Sequence, residues 1–124
     1  MLLFLIALGG GAGAVARYLL GGWVQGWSGL GFPWGTLAVN LLGCTLLGVG
    51  MRTIDALLTS PEARGLIAVG FLGAFTTFST FSMDAVVMLQ RGEWERAVGY
   101  VAASVLFGLI GVWIGLGAVG WGVR

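Results

Sequence analysis

Four long apolar stretches fill almost the whole chain, and they constrain its fold more than any other feature. Each is at least as long as the roughly 20 residues that an α-helix needs to cross a bilayer. Charged residues make up 9% of the 124 residues, whereas a soluble domain has about 25%. The sequence therefore predicts a single all-α membrane domain over residues 1–124, with transmembrane helices at about residues 2–24, 33–54, 65–90 and 94–119.

The residue types present exclude several kinds of site. The chain has no histidine and one cysteine, Cys44, so it cannot form an internal disulfide or a Cys/His metal centre. Cys44 lies in an apolar run and is interpreted as a small, inert, buried hydrophobe. With no histidine, acid pair or recognisable nucleophile arrangement, the sequence does not favour an enzyme. The net charge of +1 gives no indication of a nucleic-acid partner.

The basic residues are divided evenly between the two ends of the predicted helices. Lysine and arginine near helix ends normally decide the direction of insertion, and this chain has no lysine. With four helices, three arginines fall on each side: Arg52, Arg64 and Arg124 on one, and Arg17, Arg91 and Arg96 on the other. Such a balance is compatible with insertion in both orientations, which would give an antiparallel dimer.

Glycine is unusually frequent, at 24 of 124 residues. In a membrane, small residues let helix backbones approach closely. Gly9 with Gly13, and Gly111 with Gly115, have the GxxxG spacing typical of such contacts. A chain with only four helices needs a partner to shelter a polar path, so we expect a homodimer.

The third apolar segment contains an unusual string, GFLGAFTTFSTFSMD, at residues 70–84. Five hydroxyls fall within seven residues, and four phenylalanines recur every three or four residues on one helical face. Gly70 and Gly73 precede them and favour a helix interruption, which at membrane depth would line a cavity or be buried in protein. Carbonyls freed there can bind a small cation. The alternative is a phenylalanine packing stripe beside hydroxyls that bond to their own helix, and the spacing leaves both open.

The other segments add polar groups at membrane depth. Arg17 is a charge inside the first segment, where charges are rare and usually functional, although its side chain could also extend to the interface. Asn40, Tyr100 and Ser104 could line a path or could form hydrogen bonds between helices. These segments offer one cation, an amide, hydroxyls and the positive edges of phenyl rings. Such groups favour an anion as the transported ion. The only acid at that depth is Asp84.

Three strings connect the chain to a known family: GGGAGAVARY at residues 9–18, PWGTLAVNLLG at residues 33–43, and the third-segment string. Together they resemble the CrcB/Fluc family of fluoride ion channels, and the resemblance covers essentially the whole chain. It implies passive, fluoride-selective export across the cell inner (plasma) membrane. It also implies a dual-topology antiparallel homodimer with two pores and a central structural sodium ion, and a third helix broken near its middle.

The resemblance also assigns roles to individual residues. The backbone carbonyls of Gly73 and Thr76 would bind the sodium ion, and Arg17 would make the vestibule electropositive. The fluoride pore would be lined by residues from three helices: Asn40, Thr77, Phe78, Phe81, Tyr100 and Ser104. Two positions depart from the family pattern. Asp84 replaces a common glutamate, and Gly108, one turn beyond Ser104, stands where relatives can carry serine, so a shorter hydroxyl track is expected.

Two other functions compete with a channel. A small dual-topology carrier that exports organic cations would share the size and charge balance, but it would want an acid in an early helix, and none precedes Asp55. A non-transporting structural subunit would use the glycine-rich faces only for assembly. Ion flux through the purified protein distinguishes both from a fluoride channel.

Overall fold

The computed structural model describes residues 1–57 and 60–118, which form helices joined by short connections. α1 spans Leu2–Ser28 and α2 spans Trp34–Leu57, while the last helix spans Trp94–Ala118. Between them the third apolar segment forms a composite span, Pro61–Gln90. All four are long and apolar enough to cross a membrane, which confirms the predicted all-helical architecture. The predicted end of the fourth helix, at residue 119, lies outside the described residues.

Three of the predicted bounds are too narrow, and one of them is the end of α2, which lies at Leu57 rather than at residue 54. α1 continues beyond residue 24 to Ser28, whose Oγ donates back to the Val24 carbonyl at 2.8 Å. The third span begins at Pro61 rather than at residue 65, because Ser60 Oγ accepts a hydrogen bond from Ala63 N–H at 3.2 Å and caps a helical turn there. The Ser60 cap therefore accounts for the earlier start of the third span.

The third span consists of four pieces rather than one continuous helix. α3 is a single turn, Pro61–Arg64, and a π-helical segment, Gly65–Leu72, follows it. α4 is the turn Gly73–Phe75 and α5 is the helix Phe78–Gln90, so the last helix of the chain is α6. Two residues with extended backbones separate α4 from α5. The interruption that the sequence predicts near the middle of the third helix is therefore present.

The connection between α1 and α2 is held by Gln25, and Arg96 Nη1 of the last helix also donates to its Gly31 carbonyl at 3.0 Å. α1 stops at Gly29, which has a φ of 83°, a value that glycine adopts without strain. Gln25 Nε2 donates to the carbonyls of Gly29 and Phe32, and Gln25 Oε1 accepts from Gly35 N–H at 3.0 Å. This one amide thereby ties the end of α1 to the first turn of α2.

Two helix pairs pack with their backbones in direct contact. Cβ atoms on Gly9 and Gly13 would collide with carbonyls of the π-helical segment, at Leu66 and Phe71. A Cβ atom on Gly115 of α6 would likewise collide with a carbonyl of α2. Glycine therefore permits both approaches, as the GxxxG spacing predicts.

Replacement of Gly13 by alanine is expected to destabilise the protein by roughly 1–3 kcal/mol, the usual effect of forcing a methyl group into a filled contact. The matched control is Gly11→Ala on the same helix, where an added Cβ meets no atom within 4 Å. Thermal unfolding in detergent measures both. Equal melting temperatures for the two variants would show that the contact between α1 and the π-helical segment is not tight.

The buried apolar core is small and lies between α2, α5 and α6. It consists of Leu37, Ala85, Met88, Ala97 and Tyr100. Most large apolar side chains face outward instead, as expected of a protein whose solvent is lipid. Four of the five exposed tryptophans among the described residues lie where α1 ends and where α2 and α6 begin: Trp23, Trp27, Trp34 and Trp94. The fifth, Trp113, lies in the second half of α6. Because successive spans alternate in direction, the helix ends that carry the other four lie at the same membrane face, where tryptophan is enriched.

Candidate functional site

Asn40 holds open the break in the third span. Thr76 has ψ 157° and Thr77 has φ −149°, so both are extended. Thr77 N–H donates to Asn40 Oδ1 at 2.8 Å, and Asn40 Nδ2 donates to the Thr77 carbonyl at 3.0 Å. One side-chain amide thus satisfies both backbone groups of Thr77. The hydrogen bond between helices considered for Asn40 is present, and within residues 1–57 and 60–118 only one of its two amide hydrogens is used.

Among the backbone carbonyls at the break, those of Gly73 and Thr76 lose donors that are known to bond elsewhere. In a continuous helix the Gly73 carbonyl would accept from Thr77 N–H, which bonds to α2 instead. The Thr76 carbonyl would accept from Thr80 N–H, which bonds to Thr77 Oγ1 at 3.2 Å. Arg17 Nη1 donates to the Thr76 carbonyl at the long distance of 3.5 Å. These are the two carbonyls that the sequence resemblance assigns to sodium.

A cavity of about 590 Å³ opens beside Arg17, and we call it the Arg17 cavity. Its polar lining is Arg17, Tyr18, Gln25, Thr36, Thr77 and Thr80. Among the described residues that line it, Arg17 alone is charged, and its side chain turns towards the break rather than towards the membrane surface. α5 begins next to this cavity, and the first turn of a helix carries partial positive charge. The cavity is therefore suited to an anion.

A second cavity, of about 260 Å³, shares Thr77 with the first, and we call it the Asn40 cavity. Five of the six predicted pore residues line it: Asn40, Thr77, Phe78, Phe81 and Ser104. Ser104 Oγ exposes less than 1 Å² and has no hydrogen-bond partner within residues 1–57 and 60–118. Cys44, which the sequence suggested was an inert hydrophobe, also lines this cavity. Cys44 lies four residues after Asn40, and that spacing on one helix is the signal that could have revealed it.

The four phenylalanines do not form one stripe. Phe71 and Phe75 stack with ring centroids 5.9 Å apart, and Phe75 is buried, so the packing interpretation is correct for this pair. Beyond the break, Phe78 and Phe81 lie 5.5 Å apart with a tilt of 43°, and both line the Asn40 cavity. The extended residues between the pairs change the direction in which α5 presents its side chains.

The hydroxyls of the third span also fall into two groups. Thr76 and Ser82 donate to carbonyls four residues earlier, at 3.2 and 2.9 Å, as the self-satisfying alternative predicted. Thr77 Oγ1 instead donates to Thr80 Oγ1 at 3.0 Å and lies 3.3 Å from Ser79 Oγ. This second group surrounds the first turn of α5, between the two cavities.

Tyr100 forms the hydrogen bond between helices that the sequence left open as its alternative role. It is fully buried, and its hydroxyl donates to Asp84 Oδ2 at 3.2 Å. Its ring packs on Phe81 at 5.3 Å, so Tyr100 supports a wall of the Asn40 cavity from behind and does not line it. Asp84 also borders a cavity of about 400 Å³ with Arg91 and Glu93, near the turn after α5. A lone acid at membrane depth needs a hydrogen-bond donor. That requirement is the sequence signal that could have pointed to a donor for Asp84.

The bond between Tyr100 and Asp84 is expected to stabilise the fold. Tyr100→Phe and Asp84→Ala each remove one partner, and a double-mutant cycle isolates their interaction. A hydrogen bond to a charged group contributes about 1.5–3 kcal/mol, so the double variant should lose less stability than the two single losses combined. Unfolding in detergent supplies the measurement. Strict additivity would mean that the hydroxyl and the carboxylate do not interact.

A broken helix at membrane depth, bordered by polar cavities, defines the class: a multi-pass membrane protein with the features of an ion-conducting or ion-transporting molecule. A family model described as "CrcB-like protein, Camphor Resistance (CrcB)" matches residues 4–116. The chain belongs to this family, as its motifs indicate.

The chain is also similar to several curated relatives along most of its length. One is the "Fluoride-specific ion channel FluC" of Hahella chejuensis, 49% identical over 112 residues, which are 90% of this chain and 88% of the relative. Relatives of the same name occur in Thermus thermophilus, 48% identical over 90% of this chain and 87% of the relative, and in Magnetococcus marinus, 47% identical over 90% and 91%. This is a family of channels and not of enzymes.

Proposed function

We propose that this chain is a fluoride-selective channel that lets fluoride leave the cell passively across the inner (plasma) membrane. The observation that carries the proposal is the Asn40 cavity, which gathers unused donors and ring edges at membrane depth and has no acid among the described residues of its lining. The names of the relatives supply the identity of the anion. An anion path needs such donors because water is absent from the bilayer core.

Three kinds of group replace the water around fluoride. Asn40 keeps one amide hydrogen, and the Ser104 hydroxyl has no partner within the described residues. Phe78 and Phe81 add ring edges, which carry partial positive charge. Fluoride is small and strongly hydrated, so the path must offer donors close together. A path that is narrow enough to place these donors around fluoride is expected to admit the larger chloride ion poorly.

The Arg17 cavity acts as the vestibule of this path. Arg17 and the first turn of α5 attract an anion to Thr77, which borders both cavities. From there fluoride passes to Asn40 and Ser104. Flow follows the electrochemical gradient, and the membrane potential favours anion exit by about 2.3 kcal/mol per charge per 100 mV.

Two copies in opposite orientations complete the path. In one copy Phe78 is 79% exposed, and the hydroxyl residues Ser79 and Thr80 are also exposed at membrane depth. Polar groups that face lipid are unfavourable. A second copy of the chain packed against them would remove this exposure. The balanced arginines support insertion both ways. An antiparallel homodimer would contain two Asn40 cavities and therefore two pores.

Forcing every copy into one orientation tests the antiparallel assembly. Extra positive charges placed next to a helix end should fix the direction of insertion. Vesicles holding only one orientation are expected to lose fluoride efflux, and mixing the two oppositely inserted variants should restore it. Full efflux from a single-orientation population would contradict an antiparallel dimer.

A structural sodium ion between the two copies would be held by the Gly73 and Thr76 carbonyls. Both have lost their helical donors, and unwound carbonyls are sodium ligands in membrane proteins. Within the described residues no cluster of acids and cysteine could hold a metal. The bond from Arg17 leaves one lone pair of the Thr76 carbonyl available. When bound, the ion would fix the two breaks to each other, while the side chains of the Asn40 cavity carry the fluoride.

Purified protein in liposomes tests the function directly. Vesicles loaded with potassium fluoride should release fluoride when valinomycin allows potassium to follow, and a fluoride electrode records the release. Vesicles loaded with potassium chloride should retain chloride under the same conditions. Equal chloride release, or no fluoride release from a folded dimer, would overturn the proposal. Proton-dependent efflux of an organic cation would point to a carrier instead.

A further inference from the structure

One residue of the Asn40 cavity has no part in the function described so far. Cys44 is half-buried and lines the cavity together with Asn40 and Ser104. It is the only cysteine of the chain. Its thiol can donate a weak hydrogen bond, so its position in the lining gives it access to any anion that enters.

The position of Cys44 matches a gap on the facing helix. α2 and α6 run in the same direction. Asn40 and Cys44 of α2 line the cavity one turn apart, whereas α6 contributes Ser104 and Val105. On α6, Ser104 is followed one turn later by Gly108, which has no side chain to offer. A Cβ atom on Gly108 would lie 3.5 Å from Cys44 Sγ, an ordinary van der Waals contact. The Cys44 sulfur therefore lies next to Gly108, the position on α6 that has no hydrogen-bond donor in its side chain.

A second observation shows that this region is set to receive a ligand. Ser104 Oγ lies in the same lining with less than 1 Å² exposed and with no partner in the described part of the chain. Buried hydroxyls are normally hydrogen-bonded. The unused Ser104 hydroxyl and the Cys44 thiol lie on two walls of one cavity, and both can donate.

We propose that Cys44 is a further lining residue of the fluoride path, where its S–H replaces the donor missing at Gly108, and that its thiol is a modification site at which the path can be closed. This inference rests on the proposed fluoride function. Only a thiolate reacts with alkylthiolating reagents, and a thiolate forms where water reaches. A thiol packed against lipid would lack that access.

The modification experiment uses the unaltered protein, which already has a single cysteine. The reagent is methyl methanethiosulfonate: the Cys44 thiolate attacks the methylthio sulfur, a mixed disulfide forms, methanesulfinate leaves, and the thiol proton passes to water. Fluoride efflux from treated liposomes should fall to the level of protein-free vesicles and return after reduction with dithiothreitol. Efflux by Cys44→Ser should not change on treatment.

Mass spectrometry makes each outcome decisive. Complete addition of the methylthio group with unchanged fluoride efflux would overturn the inference. A thiol that reacts in denaturant but not in the folded channel would overturn it equally. If untreated protein releases no fluoride, the proposed function has failed. If untreated and modified proteins release fluoride at the same rate, only the inference has failed.

The donor role has its own matched set of variants. Cys44→Ala should lower fluoride efflux about twofold, the effect of losing a hydrogen bond at the weak end of the usual range. Adding Gly108→Ser should restore efflux, because it places a hydroxyl on α6 at the same level. Adding Gly108→Ala fills the same space without a donor and should not restore it. Equal efflux from Cys44→Ala and the unaltered protein, or equal rescue by serine and alanine, would rule out the donor role.

Discussion

Replacement of Phe81 by isoleucine is expected to abolish fluoride efflux while the protein remains a folded dimer. The Phe81 ring lines the Asn40 cavity and packs between Phe78, at 5.5 Å, and Tyr100, at 5.3 Å, so it is held in place beside the proposed path. Isoleucine keeps an apolar side chain of similar burial but has no positive edge. Efflux from liposomes, measured with a fluoride electrode, should fall to the protein-free level.

Phe71→Ile is the matched control for that variant. Phe71 carries the same ring in the same span but stacks on Phe75 and does not line the Asn40 cavity. It should keep its efflux even if some stability is lost. Unchanged efflux in Phe81→Ile would remove the ring from the mechanism, and equal losses in both variants would point to packing alone.

Replacement of Asn40 by aspartate should have an effect at least as large. The carboxylate has no N–H, so it loses both the bond to the Thr77 carbonyl and the donor left for fluoride. It also places a negative charge in the path. Two like charges about 4 Å apart repel by about 4 kcal/mol at an effective dielectric constant of about 20, which is roughly a thousandfold in rate. Fluoride efflux should therefore become undetectable.

Thr45→Val provides the control on the same helix. Thr45 Oγ1 donates to the Leu41 carbonyl at 3.0 Å and does not line the Asn40 cavity. Valine has a similar shape and lacks the hydroxyl, so efflux should persist. A fully active Asn40→Asp channel would exclude direct contact between residue 40 and the passing anion.

The sequence predicts the number of spans, the break and the glycine contacts because each depends on nearby residues. The apolar lengths determine the spans, and Gly73 with the hydroxyls after it favours the break. Glycine spacing indicates where backbones meet. The motifs also identify a set of pore residues, of which five lie around one cavity.

The partners of those residues could not be predicted, because they depend on how one helix is placed against another. Asn40 and Thr77 are 37 positions apart, and nothing in either segment specifies that they pair. Tyr100 and Asp84 come from α6 and α5, and their contact decides that Tyr100 supports the cavity from behind. Phe71 and Phe78 share one sequence pattern but separate at the break, since two extended residues reorient α5 relative to the π-helical segment.

The break in the third span depends on its contact with α2 and not on the sequence of the third span alone. Thr77 can leave its helical hydrogen bonds because an amide from α2 accepts one and donates the other. Before α2 is alongside, an opened backbone would face hydrocarbon without partners, which is strongly unfavourable. During biosynthesis the third span can therefore enter the bilayer as an ordinary continuous helix. Its carbonyls become free only when the third span packs against α2, so the break forms together with the tertiary structure and not before it.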